Sequence, residues 1–180
     1  FWWKPEPNTL VTQWRTTPTA IDWNKDGLMD LISLDTEGYL SFYERYRNEN
    51  ELLLKPGQRI FSSGNGTFDR KNKFIDKSNG PLRLSEQKYG ASGRRKLAFG
   101  DWDKDGDIDI IINGMNAALL ENKGKDAKSK TVSFDFKGDL SDKKLAGHTT
   151  SPTLVNWDNE GKPDLLLGAE DGYFYYYKND

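Results

Sequence analysis

The chain of 180 residues lacks cysteine altogether. That excludes disulfide staples and thiolate metal sites, without fixing a compartment. Histidine is nearly absent: His148 is the single one, and no Ser-His-Asp set is evident around it. No apolar run is long enough to span a membrane, and no signal-peptide pattern opens the chain. An excess of one charge is missing too: 26 basic residues face 28 acidic ones, net −2, so nothing drives the chain toward nucleic acid. Apolar residues make up only 35%, whereas aromatics reach 13%, a balance that suits strands joined by many turns. Seventeen glycines and seven prolines fit short connections. The length suffices for one domain with its own core. A first residue Phe1 rather than methionine fits a processed protein or an excised piece.

What is present is a repeat. Asp101-Trp102-Asp103-Lys104-Asp105-Gly106-Asp107-Ile108-Asp109 carries acids at positions one, three, five and nine and glycine at six. Asp22, Asn24, Asp26, Gly27 and Asp30 keep that spacing, and Asn156, Asp158, Glu160, Gly161 and Asp164 keep it a third time. Repeats are read before anything else. Hard cations such as calcium take six to eight oxygens at about 2.3–2.6 Å. Alternate side chains of a short loop plus a backbone carbonyl can supply them, with glycine allowing the sharp turn. The position-seven carbonyls of Leu28, Asp107 and Lys162 join the expected ligands. Magnesium suits such a loop less, because it retains several waters.

An EF-hand starts in the same way but needs a Glu at position twelve and flanking helices. Here position twelve is Ser33, Ile112 or Leu167. The flanks are short apolar runs: Leu97-Ala98-Phe99 before the second loop and Ile110-Ile111-Ile112 after it. The spacing therefore predicts strand–loop–strand units. Their second strands are continuous apolar runs, which implies burial on both faces.

Strand, Asp-rich loop, then Asp-Leu/Ile-Leu/Ile resembles the FG-GAP/VCBS repeat of β-propellers, and Phe99-Gly100-Asp101 keeps the Phe-Gly-Asp core of that name. The resemblance runs from about Gln13 to Lys178 with one long interruption. It implies an all-β chain of propeller blades. Three are recognisable: blade one at 15–56, blade two at 96–147 and an incomplete blade three at 148–180. Residues 1–14 read as the strand or loop of a preceding blade, and 57–95 as an insertion. Propellers have typically four to eight blades, so further blades from the same or another chain are expected partners. Calcium is the expected cofactor, and loops of this kind point to an extracellular, periplasmic or cell-surface setting.

In this family's layout ligands bind at the end of the blades away from the metal loops. Seven or eight residues before each first loop ligand stand Trp14-Arg15, Gly93-Arg94 and His148-Thr149. Arg15, Arg94 and neighbouring Arg95 are candidate ligand-binding residues, since arginine pairs bidentately with carboxylates. His148 is the candidate catalytic residue, an acid or base near neutral pH. An acidic polysaccharide fits this set. The competing expectation is that the arginines pair with Glu37 and Glu170, and that His148 is structural. Trp23, Trp102 and Trp157 recur with the repeat and read as packing, whereas Trp2, Trp3 and Trp14 lie outside it and serve either as sugar platforms or as core. The expected function is thus a calcium-stabilised, carbohydrate-directed module of a secreted protein, as polysaccharide binder or part of a lyase or hydrolase. The alternatives are a protein-interaction or adhesion module without catalysis, and a calcium-dependent scaffold. No glycosidase carboxylate pair can be assigned, because the acids are mostly committed to the loops.

Overall fold

The computed structural model describes residues 9–68, 73–76, 80–85 and 94–180. Trp2, Trp3 and Gly93, and much of the stretch read as an insertion, lie outside the described residues. Those described contain strands and no helix. None therefore forms a helix long and apolar enough to cross a membrane. The chain divides into two units, Phe1–Arg94 with Ala127–Thr131, and Arg95–Asp126 with Val132–Asp180.

In the first unit, β1 (Thr19–Ile21), β2 (Asp30–Leu34) and β3 (Leu40–Tyr43) form an antiparallel sheet in chain order. β2 and β3 carry the expected apolar run, and Ile32, Leu34 and Leu40 are buried to within 1%. A fourth strand at Glu51–Leu54 would be expected to extend this sheet. Instead, β5 (Glu51–Leu54) pairs with β4 (Arg45–Asn48) as a separate hairpin. The outer edge of β3 is covered by Gln58, which exchanges backbone hydrogen bonds with Phe42 at 2.9 and 2.8 Å, and by Leu82, whose carbonyl accepts from Leu40 at 2.9 Å. The hydrophobic effect explains this choice. Leu52 and Leu54 are 41% and 44% exposed, whereas Leu82, Leu84 and Phe61 are buried. The segment read as an insertion thus supplies core side chains. It also holds the short strands β6 (Phe61–Ser63), β7 (Gly66–Phe68) and β8 (Phe74–Asp76), the last two paired with each other.

In the second unit, β9 (Leu97–Gly100), β10 (Asp109–Asn113), β11 (Ala117–Lys125) and β12 (Val132–Asp139) pair in succession, all antiparallel. Then β13 (Ser151–Val155), β14 (Asp164–Gly168) and β15 (Phe174–Tyr177) form a three-stranded sheet. Every residue of β10 is buried, as its unbroken Ile run requires. One face of the first sheet, with Ala98, Ile111 and Ala117, packs on Leu165 and Leu167 of the second, and Trp102, Leu119, Leu154, Tyr175 and Tyr177 complete the cluster.

The registers make the two sheets comparable position by position. Ile111 lies between Ala98 and Leu119, and Leu166 lies between Thr153 and Tyr176. Ala117 corresponds to Phe174, opposite Asn113 and Gly168 respectively. The face covered in the first sheet is open in the second: Phe174 is 82% exposed and Tyr176 is 43% exposed. The repeat tryptophans divide in the same way, since Trp102 packs in the cluster while Trp157 is 63% exposed.

Two hairpin glycines separate backbone strain from packing. Gly38 has φ +85° and a Cβ there would lie 1.7 Å from the Ser85 carbonyl oxygen, whereas Gly172 has φ +84° with open space around it. Gly172→Ala should cost roughly 1–2 kcal/mol, the left-handed penalty alone. Gly38→Ala should cost clearly more, because backbone must move as well. Equal losses by urea denaturation of both variants would contradict this close approach.

Candidate metal loops and ligand-facing ends

The three Asp-rich loops have one backbone shape. Position four takes the left-handed conformation in each, at Lys25 (φ 61°), Lys104 (φ 64°) and Asn159 (φ 60°), and so does the glycine at position six, Gly27 (88°), Gly106 (97°) and Gly161 (89°). A side chain at position four is uncommon in that region. The loops' hydrogen bonds explain why it is held there.

Position one accepts the position-six N–H: Gly27 donates to Asp22 Oδ2 (2.9 Å), Gly106 to Asp101 Oδ2 (3.1 Å) and Gly161 to Asn156 Oδ1 (3.4 Å). Position three accepts from position five: Asp26 N–H to Asn24 Oδ1 (3.0 Å), Asp105 to Asp103 Oδ1 (3.1 Å) and Glu160 to Asp158 Oδ1 (2.9 Å). Position five accepts from position seven in the first two loops, Leu28 N–H to Asp26 Oδ1 (2.8 Å) and Asp107 N–H to Asp105 Oδ1 (2.9 Å). In the first two loops the side chains at positions one, three and five all bond back to the loop's own amides.

Position nine does something the spacing does not reveal. Asp30, Asp109 and Asp164 are each 1% exposed. One oxygen of each accepts the N–H of the tryptophan at position two: Trp23 (3.1 Å), Trp102 (2.9 Å) and Trp157 (3.1 Å). The other accepts an N–H from just beyond the third strand of the sheet or within it, from Arg45 (2.8 Å), Asn122 (2.8 Å) and Asn179 (3.1 Å). These aspartates tie loop to sheet.

The fit to a cation is clearest in the second loop. Oxygens of Asp101, Asp103 and Asp109 all lie within 4.8 Å of one another. Ligands at about 2.3–2.6 Å from one ion can be no more than about 5 Å apart. Asp101 Oδ1 is buried and has no hydrogen-bond partner, a costly state for a carboxylate oxygen that a cation would relieve. Burial raises the Asp109 pKa, the N–H groups of Asn122 and Trp102 oppose that, and the charges of Asp103 and Asp105 raise it further. Asp164 shifts the other way: burial raises its pKa, but the N–H groups of Asn179 and Trp157 and the Tyr176 hydroxyl outweigh it. In the third loop Lys178 Nζ lies 3.3 Å from Asp158 and 3.0 Å from Glu160, and Lys162, whose carbonyl is the expected ligand, donates through its side chain to the Asp180 carbonyl.

The candidate ligand residues lie in different settings. Arg15 is exposed, with its guanidinium 4.1 Å over the exposed Trp14 ring and with φ 62°. Arg94 is exposed. Arg95 is only 5% exposed; its Nη1 donates to the Asn113 carbonyl at 3.0 Å, and burial pulls its pKa down to about 10. Arg15 and Arg94 belong to the first unit, Arg95 and His148 to the second.

His148 precedes β13, at the opposite end of that strand from the third loop. Its side chain is 79% exposed, and Nδ1 lies 3.1 Å from Glu170 Oε1. Glu170 also accepts three successive backbone N–H groups, from Gly147 (3.0 Å), His148 (3.0 Å) and Thr149 (3.1 Å). The anion-binding concavity formed by these amides is thus filled by the protein's own carboxylate. Glu37, the other expected arginine partner, is held by Arg59 rather than by Arg15 or Arg94. Arg59 lies 3.9 Å over the Tyr39 ring and 2.6 Å from Asp35, while Arg83 Nε donates to the Glu37 carbonyl at 2.8 Å. Sequence spacing had singled out neither Arg59 nor Arg83, because neither recurs with the repeat.

Comparison with family models, with characterised proteins and with solved structures gave no match to this chain.

The Glu170 clamp gives a pH prediction. Burial raises its pKa, yet the N–H groups of Thr149 and Gly147 and the charge of His148 prevail and hold it below the ordinary glutamate value. A depressed carboxylate contributes stability above its unfolded-state pKa and loses it as pH falls through the folded value. NMR titration should therefore give Glu170 a midpoint below the ordinary glutamate value, with the Gly147, His148 and Thr149 amides following the same curve. Glu170→Gln should abolish that shared transition. A midpoint at or above the ordinary glutamate value would contradict the clamp.

Proposed function

We propose that this chain is a calcium-stabilised FG-GAP/VCBS-type propeller segment of a secreted protein, with an acidic carbohydrate as ligand. The observation that carries the calcium part is the shared loop geometry, with carboxylates converging around the buried, unpartnered Asp101 Oδ1. Asp101, Asp103, Asp105 and Asp109 with the Asp107 carbonyl would hold the ion in the second loop. Asp22, Asn24, Asp26, Asp30 and the Leu28 carbonyl would do so in the first. The ion would supply positive charge that the converging carboxylates need, and its role is structural rather than chemical.

Support for the carbohydrate part is the half-exposed Trp14 ring with the Arg15 guanidinium stacked over one of its faces. A uronate would stack on the ring's other face and pair its carboxylate with the guanidinium. His148 is exposed and pairs through Nδ1 with Glu170, which orients the ring and leaves Nε2 as the nitrogen for any proton transfer. A second reading, a module that docks protein, is favoured by the open face carrying Leu166, Phe174 and Tyr176. That face repeats the positions which, one sheet earlier, lie under the next sheet. A further sheet of the same repeat type is the partner its chemistry suits.

Because binding to the folded state alone raises stability, excess chelator should lower the melting temperature. Asp101→Asn should weaken calcium binding with the fold retained. An unchanged melting curve in chelator would remove the calcium part. A glycan array with and without calcium tests the other part: uronate binding lost in Trp14→Ala and Arg15→Ala supports it, and no glycan bound leaves the docking reading.

A further inference from the structure

The three loops differ at one place that their acidic spacing does not include. The residue just before the amide that caps the position-nine aspartate is Glu44 in the first repeat, Glu121 in the second and Lys178 in the third. The first two carboxylates are engaged by lysines outside the loops: Glu44 by Lys55 at 2.7 Å, and Glu121 by Lys137 at 2.8 Å and Lys123 at 3.2 Å. The third repeat inverts the charge. Lys178 Nζ lies 3.0 Å from Glu160 Oε2 and 3.3 Å from Asp158 Oδ2, the side chains at positions five and three, and 3.6 Å from Asp180 Oδ1.

We propose that Lys178 is the third loop's own cation, so that this loop keeps its shape without calcium and the chain takes calcium in the first two loops only. The inference rests on the calcium reading above. An ammonium is a compact point charge with three donors and no acceptor. At these distances it occupies two of the oxygens that a six- to eight-coordinate ion would need. The rest of the third loop fits the assignment. Asn156 replaces a charged ligand at position one, and Glu160 is a longer side chain at position five that pairs with the ammonium. The loop nevertheless keeps the left-handed residues, the position-six hydrogen bond and the buried aspartate of the other two. The third loop thus has the shared shape with a tethered charge on its acids, where the second loop has converging carboxylates.

Calcium titration of the full chain, followed by calorimetry and native mass spectrometry, tests this. The wild type should take two ions. Lys178→Gln should take a third, and Lys178→Glu, which restores the charge found at Glu44 and Glu121, should take it more tightly than Lys178→Gln. Three ions in the wild type, or two in both variants, would overturn the assignment while leaving the calcium reading intact. No calcium bound by any of the three proteins would overturn the calcium reading, and this inference with it.

Discussion

A buried aspartate whose two oxygens accept backbone N–H groups from two directions fastens each loop to its sheet. Asp30, Asp109 and Asp164 all do this, with a tryptophan amide on one side and an amide near the end of the third strand on the other. Hydrogen bonds to a charged group are each worth about 1.5–3 kcal/mol. A buried carboxylate without them would be strongly unfavourable. The loop can therefore close only when the third strand is in place, and the sheet register is read by the same side chain that closes the loop. The hydrogen bonds from positions one and three to the loop's own amides then hold the left-handed residues within the closed loop.

The same constraint separates what the sequence revealed from what it did not. The three loops, their strand–loop–strand setting and the double burial of β10 were legible because spacing and apolar runs are local signals. The dual role of the position-nine aspartate was not, because its second donor follows at fifteen residues in two repeats and thirteen in the other. The hairpin in the second repeat is shorter, and a fixed-spacing search passes over it. Lys178 was hidden for that reason as well. That the segment 57–95, read as an insertion, would supply core was not legible, because Phe61, Leu82 and Leu84 are scattered through a polar stretch; Leu82 covers β3 and Phe61 backs Leu82.

The ends opposite the Asp-rich loops show the limits of alignment by repeat position. Arg95 and His148 occupy related places in the sequence, yet one is buried on a carbonyl and the other exposed beside Glu170. Arginine at a repeat position says that a cation is nearby, not whether water reaches it. Desolvation and the nearest acceptor decide that, and both come from residues far away in the chain. The Glu170 clamp illustrates the point: a hairpin residue neutralises three amides that would otherwise suit an external anion.

A metal ion held by the side chains of the first two loops is the central proposal. The most direct measurement is anomalous scattering from crystals grown in millimolar calcium. The account predicts a peak about 2.3–2.6 Å from Asp101 Oδ1, and a second at the equivalent Asp22 side chain. Both loops without a peak, and Asp101 Oδ1 bonded instead to a water or a moved side chain, would contradict it.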